Sequence, residues 1–326
     1  MDEQTASGPA AENWREKRRY IKYHARRLVG RSILPNFRVA LIVVAVGTLT
    51  GYIAQSYNPA AMGLSERFYV FAMSPSPDVL AYVRDIIGVY LALGPAAITA
   101  LILIFVLSTF LEAPLEIGAA SFFNRQAASS LSDPPLRARE VFAWYLKAQA
   151  FLRAFTLKLM VWVVTAAACV LFFAGPVLAF CLIMNDSYDI MMTDAAVASH
   201  ALEFLGLGLL FAAAGILLTA LLQALVPAPF LLAGDSSLSA FRALAQSVRL
   251  MRGHKWELFI FRLSFLPWDI LVALTMNIAA MYAMPYMQTC TALYVKRLAT
   301  DAGLPIPGAY AQLPSESTVN TDGEND

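Results

Sequence analysis

Long apolar runs constrain the fold of this chain more than any other feature of its sequence. A helix needs about 20 mostly apolar residues to cross the hydrocarbon core of a bilayer. Four runs approach or exceed that length, at residues 37–55, 86–110, 158–184 and 204–232. Because 59% of all residues are hydrophobic and only 14% are charged, the composition is that of an integral membrane protein.

A fifth apolar block, residues 256–297, is too long for one crossing. As a single helix it would extend roughly 60 Å, about twice the hydrocarbon thickness. Its weakest helical point is the stretch 274–277, so we predict a hairpin with spans at 256–275 and 277–297. A single span with a surface segment is the alternative. The hairpin gives an all-α, polytopic transmembrane helical bundle of about six spans with interfacial amphipathic helices.

The distribution of Lys and Arg supports this count, because basic residues tend to stay on the cytoplasmic side of a membrane. Nine lie before or at the start of the first run, and six occupy positions 125–158, between the second and third runs. The segment 185–203 has four acidic residues and no Lys or Arg. We therefore expect a multi-pass protein of the bacterial cytoplasmic (inner) membrane with both termini in the cytoplasm.

Residues 235–253 are expected to form a helix on the inner membrane surface. Their apolar residues recur every three or four positions and form one stripe: Leu238, Phe241, Leu244, Val248 and Met251. Asp235 or Ser236 is a candidate cap at the start and Gly253 at the end. The end of this helix carries a predicted membrane-interface motif for anionic headgroups of the inner leaflet: Arg249, Arg252, Gly253, His254, Lys255 and Trp256.

The chain ends flank the predicted membrane domain, residues 37–298. In the basic N-terminal segment, residues 1–36, one helical face is apolar and comprises Trp14, Ile21, Ala25 and Leu28. Since a membrane domain follows directly, we favour a cytoplasmic surface helix on lipid over nucleic-acid binding. Residues 299–326 are polar and aperiodic, which predicts a disordered cytoplasmic tail.

Several motifs together resemble a bacterial membrane family, the domain of unknown function 975. They are APFLLAGDSSLSAFRALAQSVRLMRGHKWELF at 228–259, LSF at 263–265, Trp268, MPYMQTCTALY at 284–294, APLEIGAASFF at 113–123 and FAWYLKAQAFLRAF at 142–155. The resemblance covers about residues 111–298. It implies a polytopic membrane protein and brings no established biochemical activity with it.

Few ionisable residues fall within or beside the apolar runs, and four of these form a candidate polar site. Glu112 and Glu116 lie one helical turn apart at the inner end of the second span. They form either an interfacial helix end, which we favour, or a cation or proton site in a cytoplasmic vestibule. In the fifth span, Arg262 is near enough to the inner surface to extend to headgroups, whereas Asp269 needs a partner, a water-filled pocket or a proton.

The sequence contains no motif for nucleotide binding, hydrolysis or zinc coordination, so we expect no enzyme activity, cofactor or metal. Three classes of function remain. The first is a non-catalytic scaffold, accessory subunit or envelope regulator, which fits the scarcity of buried polar chemistry. The second is a transporter or channel for a small solute, ion or lipid, built on the four ionisable residues and on helices broken by Pro. An intramembrane enzyme ranks last.

The charge pattern predicts the location of reporter domains fused to the chain. A reporter after Asp194 should be active only outside the cytoplasm, and one after Ser237 or Tyr310 only inside it. Alkaline phosphatase and fluorescent-protein fusions measure this directly. An external reporter after Tyr310 would rule out the hairpin and leave an odd number of spans.

Overall fold

The structure is a computed structural model that describes residues 14–56, 94–129, 136–187, 194–235 and 237–304, with a few single positions between 66 and 92. The regular elements in these ranges are all helical, which confirms the predicted all-α fold. Short 3₁₀ segments occupy Ala138–Phe142 and Gln223–Leu225. The α-helices are α1 Trp14–Arg31, α2 Ile33–Ser56, α3 Gly94–Ala128, α4 Ala143–Leu146, α5 Ala148–Ser187, α6 Asp194–Leu222, α7 Pro227–Gly234, α8 Ala240–Leu250, α9 Lys255–Leu263, α10 Leu266–Leu274 and α11 Ala280–Asp301.

Four helical stretches of the described residues are long and apolar enough to cross a membrane. They correspond to the first four predicted runs, although the second extends far beyond residue 110. Their bounds are Ile33–Gln55, Ile98–Ala128, Ala148–Phe180 and Leu202–Gly234. Together with the composition, these stretches make the protein a membrane protein.

Contacts along the chain define two compact units. The second unit, Ala45–Ala113 and Phe155–Leu225, contains most of the apolar helical length. In it α3 contacts α5 through an edge-to-face pair of Phe105 and Trp162, and α5 contacts α6 through stacked Phe173 and Phe211. Large apolar side chains such as Leu171, which is 77% exposed, cover the outside of these helices. So much exposed apolar surface is stable only against lipid.

The first unit comprises Met1–Val44, Pro114–Ala154 and Val226–Asp326 and has a dense core. Its most extensive helix pair is α1 with α11, and α7 packs on α8. The apolar face predicted for the N-terminal segment is confirmed in its described part, since Ile21, Ala25 and Leu28 are all buried. Their burial is against protein, which the sequence did not predict.

The predicted hairpin is present, but its first arm is not a continuous helix. The chain reverses at residues 275–279, where Met276 and Asn277 have positive φ angles of 48° and 71°. The prediction of one fifth helix at 256–275 is wrong, because this stretch consists of α9 and α10, each nine residues long. Pro267 in the first turn of α10 explains the break, since proline has no N–H to donate and its ring clashes with the preceding turn.

The predicted surface helix forms as α8, with a different cap and a different buried face. Ser239 is the N-cap, with its side chain accepting a bond from Arg242 N, while Asp235 accepts bonds from Ser237. The prediction of Gly253 as the C-cap is wrong, because the helix ends at Leu250 with Met251 as its C-cap; Gly253 lies in the turn that follows, with a φ of +90°. The predicted membrane-facing stripe is divided between two faces: Leu244 and Met251 are buried in the protein, whereas Phe241 and Val248 are exposed. The buried face consists of Ala240, Ala243, Leu244, Ser247, Leu250 and Met251.

Prolines act in two ways in the described helices. Pro176 and Pro285 lie inside α5 and α11, which continue through them as helices. Pro227 and Pro267 instead stand in the first turn of a new helix, where a missing N–H costs nothing. Proline therefore breaks a helix at some of these positions and is accommodated within a helix at others.

One glycine fixes a close approach in the core of the first unit. Gly118 on α3 lies against the backbone of Val141 in the 3₁₀ segment, and Val141 is fully buried. A Cβ atom at position 118 would overlap the carbonyl oxygen of Val141 and lie 2.8 Å from its carbonyl carbon. Backbone atoms cannot move aside as a side chain does, so the contact requires glycine.

We predict that Gly118→Ala destabilises the protein by about 1–3 kcal/mol, the usual cost of overpacking a core. Gly47→Ala is the matched control, because a Cβ at Gly47 on α2 meets nothing within 4 Å. The control should be neutral or slightly stabilising, since alanine favours helix over glycine. Thermal unfolding in detergent measures both, and equal melting temperatures for the two variants would contradict the close contact.

Candidate membrane-interface site

The predicted interface motif forms the junction between α8 and α9. Arg249 and Arg252 are exposed, and the backbone N–H of Arg252 donates to the carbonyl of Arg249 at 3.1 Å. After the turn at Gly253, His254 Nδ1 lies 3.0 Å from a carboxylate oxygen of Glu257. Trp256 is 52% exposed. Exposed Arg beside an exposed Trp suits the boundary between headgroups and hydrocarbon.

In addition to its buried face, α8 carries an apolar face that does not contact the protein core. Phe241 is 68% exposed and Val248 is 41% exposed, and the two lie seven residues apart on one side of the helix. Arg242 and Arg249 flank them and are exposed. The helix therefore has a buried face, an apolar exposed face and a basic face.

The two candidate carboxylates of α3, Glu112 and Glu116, lie in different compact units. Glu112, in the second unit, is half-buried, and its Oε1 lies 2.5 Å from the hydroxyl of Thr50, a residue that is 3% exposed. That hydroxyl also lies 3.0 Å from the carbonyl of Val46 and 3.2 Å from that of Gly47. A hydroxyl has a single hydrogen. The hydroxyl of Thr50 therefore donates either to a carbonyl of its own helix or to the carboxylate of Glu112.

The remaining three candidate residues lie in the first unit. Glu116 is half-buried on α3. Arg262 is in the last turn of α9 and Asp269 in the first turn of α10, and both residues are exposed. The turn at Ser264 and Phe265 lies between them, so they do not belong to one continuous helix.

An aromatic cluster joins α9, α10 and α11. Phe265 is at its centre and packs edge-to-face on Phe261 at 5.2 Å and on Tyr286 at 5.7 Å between ring centroids. Phe261 stacks on Tyr294 at 5.8 Å, and Trp268 extends the cluster to Tyr286 at 6.2 Å. Such aromatic pairs favour offset stacked and edge-to-face geometries because of the charge distribution of the rings.

Two cations of α1 lie over this aromatic cluster. Lys22 Nζ is 5.0 Å from the ring centre of Phe265 and 6.0 Å from that of Phe261. The guanidinium carbon of Arg26 is 5.8 Å from the ring centre of Tyr286. These are cation–π distances. Burial lowers the pKa of Lys22, and the nearby Arg18 and Arg26 add to that direction while Cys290 opposes it.

Buried polar side chains of the first unit bond across helices. Asn124 Nδ2 donates to the carbonyl of Phe230 at 2.7 Å, which ties α3 to α7. Gln126 Nε2 donates to the carbonyl of Leu28 on α1 at 3.3 Å and accepts from the hydroxyl of Thr289 on α11 at 3.1 Å. Lys296 Nζ donates to the carbonyl of Ala127 at 3.2 Å. The end of α3 thus connects α1, α7 and α11.

A sequence profile of the family described as "Protein of unknown function (DUF975)" matches residues 69–302, well over half of the chain. The chain belongs to this family. The resemblance seen in the sequence motifs is thereby confirmed. No curated protein and no solved structure matches the chain closely enough to count as a relative.

The DUF975 motifs noted in the sequence come together in the first unit. Phe265 of the LSF motif, Trp268, and Tyr286 and Tyr294 of the 284–294 motif form the aromatic cluster. The 113–123 motif supplies Gly118, which contacts Val141 beside the 142–155 motif. These motifs therefore describe packing between helices. Among the described residues, no three His, Cys, Asp or Glu side chains lie close enough to hold a metal ion.

Sequence reasoning missed the contact of α1 with the aromatic cluster. A signal was present, because Tyr282, Tyr286 and Tyr294 recur at multiples of four residues and so mark one face of α11. Periodicity alone does not distinguish a lipid contact from a protein contact, so this signal did not identify α1 as the partner.

The exposed apolar face of α8 generates a prediction for Phe241. Phe241→Asp should weaken membrane insertion or lower stability by about 2 kcal/mol, because it removes a large apolar contact with lipid and adds a charge there. Phe241→Leu, the conservative control, should be mild. Yield in the membrane fraction and thermal unfolding in lipid nanodiscs measure both. Identical behaviour of the two variants would mean that this face contacts water.

Proposed function

We propose that the protein is a non-catalytic membrane scaffold or accessory subunit that acts in the cell envelope. The observation that carries this proposal is the use of buried polar groups in the first unit. The buried Asn124, Gln126 and Thr289 and the half-buried Lys296 each form a hydrogen bond to a carbonyl or side chain of a neighbouring helix. Buried polar groups are costly unless they are bonded. Here they join helices and build a rigid body suited to holding other molecules.

The membrane location that goes with this function is the bacterial cytoplasmic membrane, with both termini inside and four full crossings. The basic residues support this orientation. We infer that the hairpin of α9, α10 and α11 does not cross but enters the bilayer from the inner side and returns.

The depth of the hairpin follows from the charge on α1. A helix with cations at Lys22 and Arg26 is stable at headgroup level, whereas a charged side chain near the bilayer centre costs several kcal/mol. Because these cations contact Phe265 and Tyr286, the two aromatic rings lie at the same depth in the membrane as the cations. From there α10 extends nine residues, or roughly 14 Å, which is about half of the hydrocarbon thickness.

The turn of the hairpin is suited to an environment without water. Leu274, Met276 and Ile278 are 77%, 89% and 74% exposed, so the tip is mostly apolar, although the side chain of Asn277 is also exposed there. Its backbone donors are bonded internally: Asn277 N to the carbonyl of Val272 at 2.9 Å, and Ala279 N to the hydroxyl of Thr275 at 3.0 Å. Backbone groups in hydrocarbon require such internal partners.

Thiol labelling tests the depth of the tip. In a variant with Cys169, Cys181 and Cys290 replaced by Ala, Ile278→Cys should resist a membrane-impermeant maleimide added from outside the cell. Asp189→Cys, in the predicted outer loop, is the positive control and should react. Labelling of Ile278→Cys to the same extent as the control would mean that the hairpin crosses the membrane completely.

The contact of Thr50 with Glu112 favours the second candidate function, transport of a proton or small cation. Glu112 is a half-buried carboxylate that accepts a hydrogen bond from a buried hydroxyl, and intramembrane carboxylates commonly act as proton carriers. The contact also serves simply as a link between α2 and α3, as the scaffold requires.

Proton flux distinguishes the two functions. The protein is reconstituted into liposomes that contain a pH-sensitive dye, and the decay of an imposed pH gradient is followed. The scaffold predicts decay no faster than in protein-free liposomes, for both the wild type and Glu112→Gln. A faster decay in the wild type that Glu112→Gln abolishes would replace the scaffold by a transporter.

A further inference from the structure

An open cavity of about 780 Å³ lies in the first unit, between α2 and the segment that leads into the 3₁₀ helix Ala138–Phe142. Residues from both sides line it: Arg38, Leu41, Ile42, Arg137, Arg139 and Phe142. We call it the arginine groove. The interface motif and the candidate carboxylates contribute nothing to it, so it is separate from the surfaces described above.

The arginine groove concentrates positive charge. Arg38, Arg137 and Arg139 are exposed, and none forms an ion pair with a carboxylate among the residues that the structure describes. The nearest acidic residue along the chain, Glu140, is engaged by Arg125 at 2.5 Å. Three exposed arginines border one cavity, and none is ion-paired with a described carboxylate, so their charge attracts an anion to its rim.

The other walls of the groove are apolar. Leu41 and Ile42 belong to the candidate span Ile33–Gln55, and Leu41 is 43% exposed. Phe142 on the opposite side is 44% exposed. The groove thus continues from an arginine-rich end onto the lipid-facing side of a membrane helix. Its ligand must carry an anionic group and an apolar portion.

We propose that the arginine groove binds an anionic phospholipid of the inner leaflet. The phosphate contacts Arg38, Arg137 and Arg139, and the upper part of an acyl chain lies on Leu41, Ile42 and Phe142. Guanidinium groups suit this role because their fixed N–H donors match phosphate oxygens in pairs. A soluble phosphate would leave the apolar walls in water, and so would a nucleic acid. The proposal rests on the membrane orientation given above, which places Arg38 on the cytoplasmic side.

Lipid retention measured by native mass spectrometry tests the groove. The full-length protein in an uncharged detergent is titrated with dioleoyl phosphatidylglycerol and, in parallel, with the zwitterionic dioleoyl phosphatidylcholine. The wild type should retain the anionic lipid preferentially. Each of Arg38→Gln, Arg137→Gln and Arg139→Gln should weaken that binding about fivefold, because one basic residue near an anionic membrane is worth about 1 kcal/mol.

Lys147→Gln is the matched control, since it removes the same charge from an exposed position of the same unit outside the groove. It should retain the lipid like the wild type. If Lys147→Gln lost as much lipid binding as the arginine variants, the effect would depend on net charge alone and the proposal would be overturned. Displacement of the lipid by equimolar inorganic phosphate would also overturn it, in favour of a soluble anion. Reporter fusions in the arginine variants test the orientation separately. A reporter active on the opposite side of the membrane would mean that the orientation is wrong, whereas an unchanged reporter leaves the lipid result to test the groove alone.

Discussion

The packing of α1 on α11 is the contact on which the arrangement of the first unit depends. It brings the buried face of a strongly basic helix, with Ile21, Ala25 and Leu28, against a helix that composition alone assigns to the membrane. The cations at the edge of this contact lie over Phe265 and Tyr286. In the proposed membrane orientation, a helix that must keep its charges near water limits how far the apolar hairpin extends into the bilayer.

The same contact explains why polar groups are buried in a protein so poor in them. The last turns of α3 carry Asn124 and Gln126, which reach α7, α1 and α11 with hydrogen bonds. Removing one partner would leave the other buried and unbonded, which costs about 1–3 kcal/mol, so these links specify one arrangement of helices. Gly118 contributes in the same region, because its lack of a side chain lets α3 approach the backbone of Val141.

Much of this architecture was accessible from sequence because it depends on length and on local chemistry. Apolar length predicted the four long helices, and the turns at 275–279 and at Gly253 were predicted from weak helical propensity and from glycine. The true buried face of α8 was not, because it depends on the neighbouring helices. Phe241 and Leu244 look equivalent as apolar residues on one helix, yet one is exposed and the other is packed on protein. The arginine groove joins residues about 100 positions apart, and no local pattern marks such a pairing.

Hydrogen–deuterium exchange on Ile21→Asp tests the central contact most directly. Ile21 is 3% exposed, and a charge there cannot remain against α11. If α1 holds α11 in place, peptides from Ala280–Asp301 should exchange faster in this variant than in the wild type, together with peptides from Trp14–Arg31. Tyr20→Asp, at a position that is 63% exposed, should leave both unchanged. Unchanged protection of α11 in Ile21→Asp, with α1 alone exchanging faster, would contradict the account.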